Sequence, residues 1–142
     1  MLNMNPYFNF MGNTEEAMKF YKSVFGGEFT IFQRFKDMPG CEKMAAEEQG
    51  MIMHISLRTP GGQIFMATDA LESMGQKLQF GNNYYTTIHT ESEAETEKIF
   101  NGLSLGGKVE MPLNKTFWGA YCGMFRDRFG VQWMVNYTYP QK

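Results

Sequence analysis

The sequence predicts an α+β domain made of two β-α-β-β-β modules that form a curved, cup-like mixed sheet with helices outside. Three observations predict it. Stretches with apolar residues at a period of two alternate with stretches at helical spacing. The order strand, helix, strand, hairpin occurs twice. Finally, Glu15, Phe20, Gly26 and Gly27 recur as Glu95, Phe100, Gly106 and Gly107 at one constant offset, which with the repeated order predicts an internal duplication.

Tyr7-Phe8-Asn9-Phe10 reads as a short aromatic strand closed by Gly12-Asn13-Thr14, where Asn13 or Thr14 is placed to cap a helix. Ala17, Met18, Phe20, Tyr21, Val24 and Phe25 form the apolar stripe of that helix, with Glu15, Glu16, Lys19 and Lys22 outside it and Gly26-Gly27 ending it. Glu28 to Phe35 follows as a strand with Phe29, Ile31 and Phe35 at alternate positions. Lys36 to Gly50 is a polar connection with room for one helical turn. Met51–Leu57 and Gln63–Ala67 form a hairpin about Pro60-Gly61-Gly62.

After a linker over 70–83 the order repeats. Tyr84 to Thr90 is a β-branched and aromatic strand, Glu91-Ser92 opens a helix through Ile99, Phe100 and Leu103, and Gly106-Gly107 stops it. A strand begins at Lys108. Ala120–Phe125 and Val131–Tyr137 close the half as a second hairpin, in which Gly130-Val131-Gln132-Trp133 corresponds to Gly62-Gln63-Ile64-Phe65. The offset is shorter there than at the helices, and the extra chain between Lys36 and Gly50 in the first half explains most of the change. Module one therefore spans about 5–69 and module two about 84–139 of a single 1–142 domain.

Composition narrows the function classes. At 142 residues the chain suits one domain, and 43% apolar and 15% aromatic residues supply a core and exclude disorder. Thirteen basic against fifteen acidic residues leave a net charge of −2, which argues against a nucleic-acid binder. Two cysteines, Cys41 and Cys122, make no disulfide framework. No basic and apolar leader opens the sequence and no run reaches about 18 apolar residues, so a cytoplasmic protein without membrane contact is expected.

Two segments carry a family resemblance. The first is Asn5-Pro6-Tyr7-Phe8-Asn9-Phe10 with Gly12-Asn13, then Ala17-Met18-Lys19-Phe20-Tyr21 leading to Phe25-Gly26-Gly27-Glu28. The second is Lys115-Thr116-Phe117-Trp118-Gly119 with Asp127-Arg128-Phe129-Gly130-Val131-Gln132-Trp133-Met134-Val135-Asn136. In these the chain resembles the PhnB-like group of the glyoxalase/bleomycin resistance/dioxygenase (vicinal oxygen chelate) superfamily. The resemblance implies the fold of that superfamily, a homodimer, and either small-molecule binding or metal-dependent chemistry on a substrate with adjacent oxygens. Related sequences carry a 3-demethylubiquinone methyltransferase label. Nothing in the residues supports that label, because no Gly-rich strand-to-helix loop followed by an acidic residue is present.

Metal-dependent members of the superfamily resemble one another in placing His, Glu or Gln on the first and last strands of each half. Carried onto this sequence, those positions fall on Pro6, Met66, Tyr85 and Met134. Pro has no donor side chain and thioethers favour Cu(I) over harder divalent ions, so no metal and no cofactor is expected. A shifted site through His54, His89, Asp69 or Glu110 is the route to the alternative, a metal-dependent lyase, isomerase or dioxygenase.

Without a metal, the chain is read as a cup that binds a small, largely apolar molecule, with enzymatic activity left open. By alternation the inward positions are Phe8, Ile64, Met66, Tyr85, Thr87, His89, Gln132, Met134 and Asn136, of which Phe8 and Ile64 are expected to pack the core. Ligand contact is assigned to Met66, Tyr85, Thr87, His89, Gln132, Met134 and Asn136, with Trp118 closing the mouth. Other chemistries find no support. No serine sits in a Gly-x-Ser-x-Gly elbow, Cys122 has no basic neighbour to activate it, and Glu91, Glu93, Glu95 and Glu97 suit a solvated helix start.

Overall fold

A computed structural model describes residues 2–141. Two compact units appear, one running to Gln79 and the other beginning at Phe80. The first contains β1 (Tyr7–Phe10), α1 (Thr14–Phe25), β2 (Glu28–Arg34), α2 (Ala46–Gln49), β3 (Ile52–Arg58) and β4 (Ile64–Asp69). The second contains β5 (Thr86–His89), α3 (Glu93–Ser104), β6 (Lys108–Lys115), β7 (Ala120–Arg126) and β8 (Gln132–Thr138). Each unit holds one open four-stranded mixed sheet, in the orders β1-β4-β3-β2 and β5-β8-β7-β6. The predicted α+β class and its paired modules are what is observed.

The two halves repeat in register as well as in order. Tyr7 pairs with Met66 in the parallel β1–β4 ladder, and Thr87 pairs with Met134 in the parallel β5–β8 ladder. The step from Tyr7 to Thr87 equals that from Glu15 to Glu95, and the step from Met66 to Met134 equals that from Gly62 to Gly130. Both offsets read from the sequence therefore reappear as aligned strand pairs.

In the first unit, α1 covers the sheet face carrying Phe8, Phe10, Phe65 and Ala67. The ring of Tyr21 on α1 lies 6.0 Å from Phe8 and 5.8 Å from Phe65, and Phe25 stands edge-on to Phe65 at 5.7 Å. This corrects the inward placing of Phe8: it shares the helix-facing side with Ala67 and is only 5% exposed. In β1 the polar alternates, Tyr7 and Asn9, occupy the opposite face. The same shift of one residue means that Tyr7, not Pro6, shares a face with Met66.

A second correction concerns β2. Irregular pairing between Phe29 and Ile31 breaks the strict alternation, so Phe29 faces Leu57 and Phe32 faces Ile55, while Ile31 and Gln33 face Ser56 and His54. Phe29 and Phe32 thus share a side, with rings 5.6 Å apart.

Helix α1 is capped from a distance. The Asn13 side chain makes no cap hydrogen bond. Instead Asp69, at the end of β4, accepts from the backbone N–H of Gly12 (3.0 Å) and Thr14 (3.1 Å) and from the Thr14 hydroxyl (2.6 Å). Its other oxygen accepts from the Ile52 N–H at 2.9 Å. A single buried carboxylate therefore satisfies the helix start and ties it to β3 and β4. Helix α3 is capped locally, by the Ser92 hydroxyl accepting from the Glu95 N–H at 3.0 Å.

In the second unit α3 covers the face carrying Thr86, Ile88, Phe125, Trp133 and Val135. Phe100 meets Phe125 edge-on at 5.0 Å. It also lies so close to Gly123 that a Cβ there would sit 2.6 Å from its ring.

Candidate functional site

Period-two alternation sends the remaining residues of the second sheet to the face turned away from α3. In β5 and β8 that face holds Thr87 beside Met134 and His89 beside Asn136. In β7 it holds Met124 opposite Met134, Cys122 opposite Asn136 and Arg126 opposite Gln132. Of the sequence-predicted residues, Tyr85 immediately precedes β5, and Thr87, His89, Gln132, Met134 and Asn136 belong to this one surface by strand parity. It combines two neighbouring thioethers with hydroxyl, imidazole and amide groups.

The polar members have different partners. Gln132 is engaged at both ends of its amide: Oε1 accepts from Arg126 at 2.6 Å, and Nε2 donates to the Tyr84 carbonyl at 2.6 Å. Arg126 also donates to the Gly81 and Gly130 carbonyls, each at 2.9 Å, so the pair fixes the segment that leads into β5. Tyr85 donates its hydroxyl to Glu110 Oε2 at 2.7 Å, and that bond, with burial and the carboxylate charge, raises the phenol above its ordinary range. Asn136 donates to the Thr138 hydroxyl at 3.1 Å. Thr87 and His89 are exposed and Met134 is half-buried. Cys122 is fully buried, and burial pushes its thiol up, consistent with an inert packing group.

Trp118 lies in the Thr116–Gly119 turn between β6 and β7. It is 62% exposed and packs edge-on against Phe117 at 4.9 Å. Met66 belongs to the first sheet, half-buried on the face away from α1, together with Tyr7, His54 and Ser56. There His54 is engaged at both ring nitrogens, by the Tyr7 hydroxyl at 3.4 Å and the Ser56 hydroxyl at 3.0 Å. Sequence reading overlooked Tyr7 and Ser56. The signal for Tyr7 was present in the alternation of Phe8 and Phe10 with Tyr7 and Asn9, masked by the aromatic character of the whole strand.

The donor set does not fit a divalent metal. The paired positions nearest those that the family resemblance assigned to metal ligands hold Tyr7, Met66, Thr87 and Met134, two hydroxyls and two thioethers on two separate sheets. Among the described residues, no three of His, Cys, Asp and Glu are grouped so that they could hold an ion. Asp69, a member of the shifted set, has both oxygens committed to N–H and O–H donors.

Comparison with known proteins agrees with this architecture. A family model described as 3-demethylubiquinone-9 3-methyltransferase matches residues 3–136. Protein YjdN of Escherichia coli K12 is 32% identical over 97% of each chain. The crystal structure of protein PA1353 from Pseudomonas aeruginosa is 38% identical, superposes with a TM-score of 0.85, and covers 97% of this chain and 98% of its own. A Bacillus cereus structure named as a putative 3-demethylubiquinone-9 3-methyltransferase, PhnB protein, is 25% identical with a TM-score of 0.78, covering 96% of this chain and all of its own. A glyoxalase/bleomycin resistance protein/dioxygenase family enzyme from Burkholderia phytofirmans, 17% identical with a TM-score of 0.61 over 94% and 97% of the two chains, shares the fold. The chain therefore belongs to the PhnB-like family described as 3-demethylubiquinone-9 3-methyltransferase, on the glyoxalase/bleomycin resistance/dioxygenase fold.

Proposed function

We propose that this protein binds a small, largely apolar molecule without a metal, on the face of the second sheet turned away from α3. The observation that carries the reading is the side-by-side register of Thr87 with Met134 and His89 with Asn136, next to Met124. Adaptable thioethers supply dispersion contact, while the exposed hydroxyl and imidazole supply orientation. Gln132 and Tyr85, both engaged within the protein, act as supports that hold this surface rather than as ligand donors. Trp118, in the same unit, remains a proposed contact, and Met66 is kept as a separate proposed contact on the first sheet.

The helix starts lend the methyltransferase description no support as this chain's own chemistry. The N–H groups of Gly12 and Thr14 at the start of α1 are given to Asp69, and Ser92 caps α3. These side-chain caps occupy amides that a Rossmann-like nucleoside site would turn toward its cofactor.

A melting-temperature screen of small aromatic and aliphatic compounds against metal-stripped protein tests the proposal. At least one compound should raise the midpoint, and the rise should shrink several-fold in Met134→Ala and His89→Ala while their unliganded midpoints stay near that of the parent. Stoichiometric Zn, Fe, Ni or Mn in untagged protein, lost on His89→Ala, would overturn it.

A further inference from the structure

The first sheet carries a hydrogen-bonded relay outside the surface just described, formed by Ser56 and His54 on β3 and Tyr7 on β1. Its two ends differ in burial: Ser56 is 3% exposed and Tyr7 is 47% exposed. Among the described residues, the only side-chain hydrogen bond of the Ser56 hydroxyl is to His54 Nε2, at 3.0 Å. A buried hydroxyl that fails to donate loses free energy, so the Ser56 O–H is directed at Nε2 and that nitrogen accepts. In the neutral imidazole the proton then resides on Nδ1. Nδ1 lies 3.4 Å from the Tyr7 oxygen, so a proton on Nδ1 is placed to be donated there. In that arrangement the Tyr7 oxygen is the acceptor and its own O–H is left to point outward.

We propose that Tyr7 is a ligand-anchoring hydrogen-bond donor whose polarity is set from the buried end of the relay, and that it recognises a neutral carbonyl oxygen on an apolar molecule. The carbonyl follows from the donor: a phenol O–H offered outward selects an acceptor and discriminates against a ligand end that can only donate. The apolar remainder follows from the neighbours on the same face, Met66, the parallel partner of Tyr7, and Ile64, two residues before it on β4. Cation recognition is unfavourable here, because the relay presents hydrogen and not lone pairs. Tyr7, His54 and Ser56 all belong to the first sheet, so this proposal does not rest on the second-sheet reading.

Two measurements on the full chain test it. Nitrogen-15 NMR of the His54 ring at about pH 8, where an ordinary imidazole is neutral, should show Nδ1 protonated and Nε2 bare, the tautomer that is the minor one in free histidine. Ser56→Ala should return His54 to the common Nε2-protonated form. In parallel, titration with acetophenone should shift the Tyr7 and His54 signals, with ethylbenzene, the same shape without the oxygen, giving at most a third of the shift. Tyr7→Phe and Ser56→Ala should each remove that preference, and Tyr7→Phe deletes only an exposed hydroxyl, so it keeps the test valid if Ser56→Ala folds poorly. An Nε2-protonated His54 in the parent protein would overturn the proposal. So would equal responses to the two compounds, no response, or shifts confined to the second sheet, an outcome that leaves the function proposed above intact.

Discussion

The carbonyl oxygen of Arg58 lies where a Cβ on Gly27 would be, at 2.0 Å, and Gly27 holds φ = +88°. In the second half the Arg126 carbonyl stands 2.2 Å from a Cβ built on Gly107. The equivalent glycine and the equivalent arginine of each half thus meet in the same way. At the end of each helix the chain passes so close to the tip of a hairpin that only a residue without a side chain fits. Gly27→Ala and Gly107→Ala should each cost about 3 kcal/mol or more, because backbone cannot move aside as a side chain can. Gly62→Ala, whose Cβ would meet nothing within 4 Å although φ is +90°, should cost only about 1 kcal/mol. Urea unfolding midpoints measure the difference.

Asp69→Ala should be among the most damaging single substitutions outside the apolar core. It strips acceptors from three backbone N–H groups and one hydroxyl at once. With buried donors unsatisfied, a loss of about 3–5 kcal/mol is expected by chemical denaturation. Asn13→Ala, whose side chain makes no cap hydrogen bond, should change stability by less than about 0.5 kcal/mol.

Glu15 links α1 to β2. Its carboxylate pairs with Arg34 at 2.8 Å and with Lys19 at 2.8 Å. The Arg34 hydrogen bond first, then that of Lys19, lowers it from an ordinary 4.5 to about 2. A depressed folded-state value means that its contribution is fully present above about pH 4.5 and is lost as the pH falls toward 2. Solvent screening keeps that contribution at or below about 1 kcal/mol. Stability measured across this window should fall less steeply in Glu15→Gln than in the parent, with little separation at the acid end.

Much of the fold was legible because both modules announce their periods and end their helices on paired glycines. The second half's strands could be read residue by residue: Thr87 and His89 in β5, and Gln132, Met134 and Asn136 in β8, fall on one parity in a ladder without bulges. In the first half the reading failed at Phe8 and in β2. Tyr7 to Phe10 offers three aromatic rings in four positions, so composition hid which alternates were apolar, and the bulge near Thr30 moves Phe32 onto the side of Phe29. Nor could local spacing show that Asp69 caps a helix that begins far earlier in the chain, or that Gln132 is held by Arg126 and the Tyr84 carbonyl. Those contacts depend on tertiary register, which gives partners to groups that look free in sequence.

Thirteen methionines make methyl NMR the most direct test of a metal-free, thioether-lined binding surface. In metal-stripped protein, a compound that raises the melting temperature should shift the Met134 and Met124 methyl signals most. Adding Zn²⁺ or Mn²⁺ should neither be needed for that response nor enlarge it. A response that appears only after the metal is added, or that leaves Met134 and Met124 unmoved while distant methyls shift, would contradict the account.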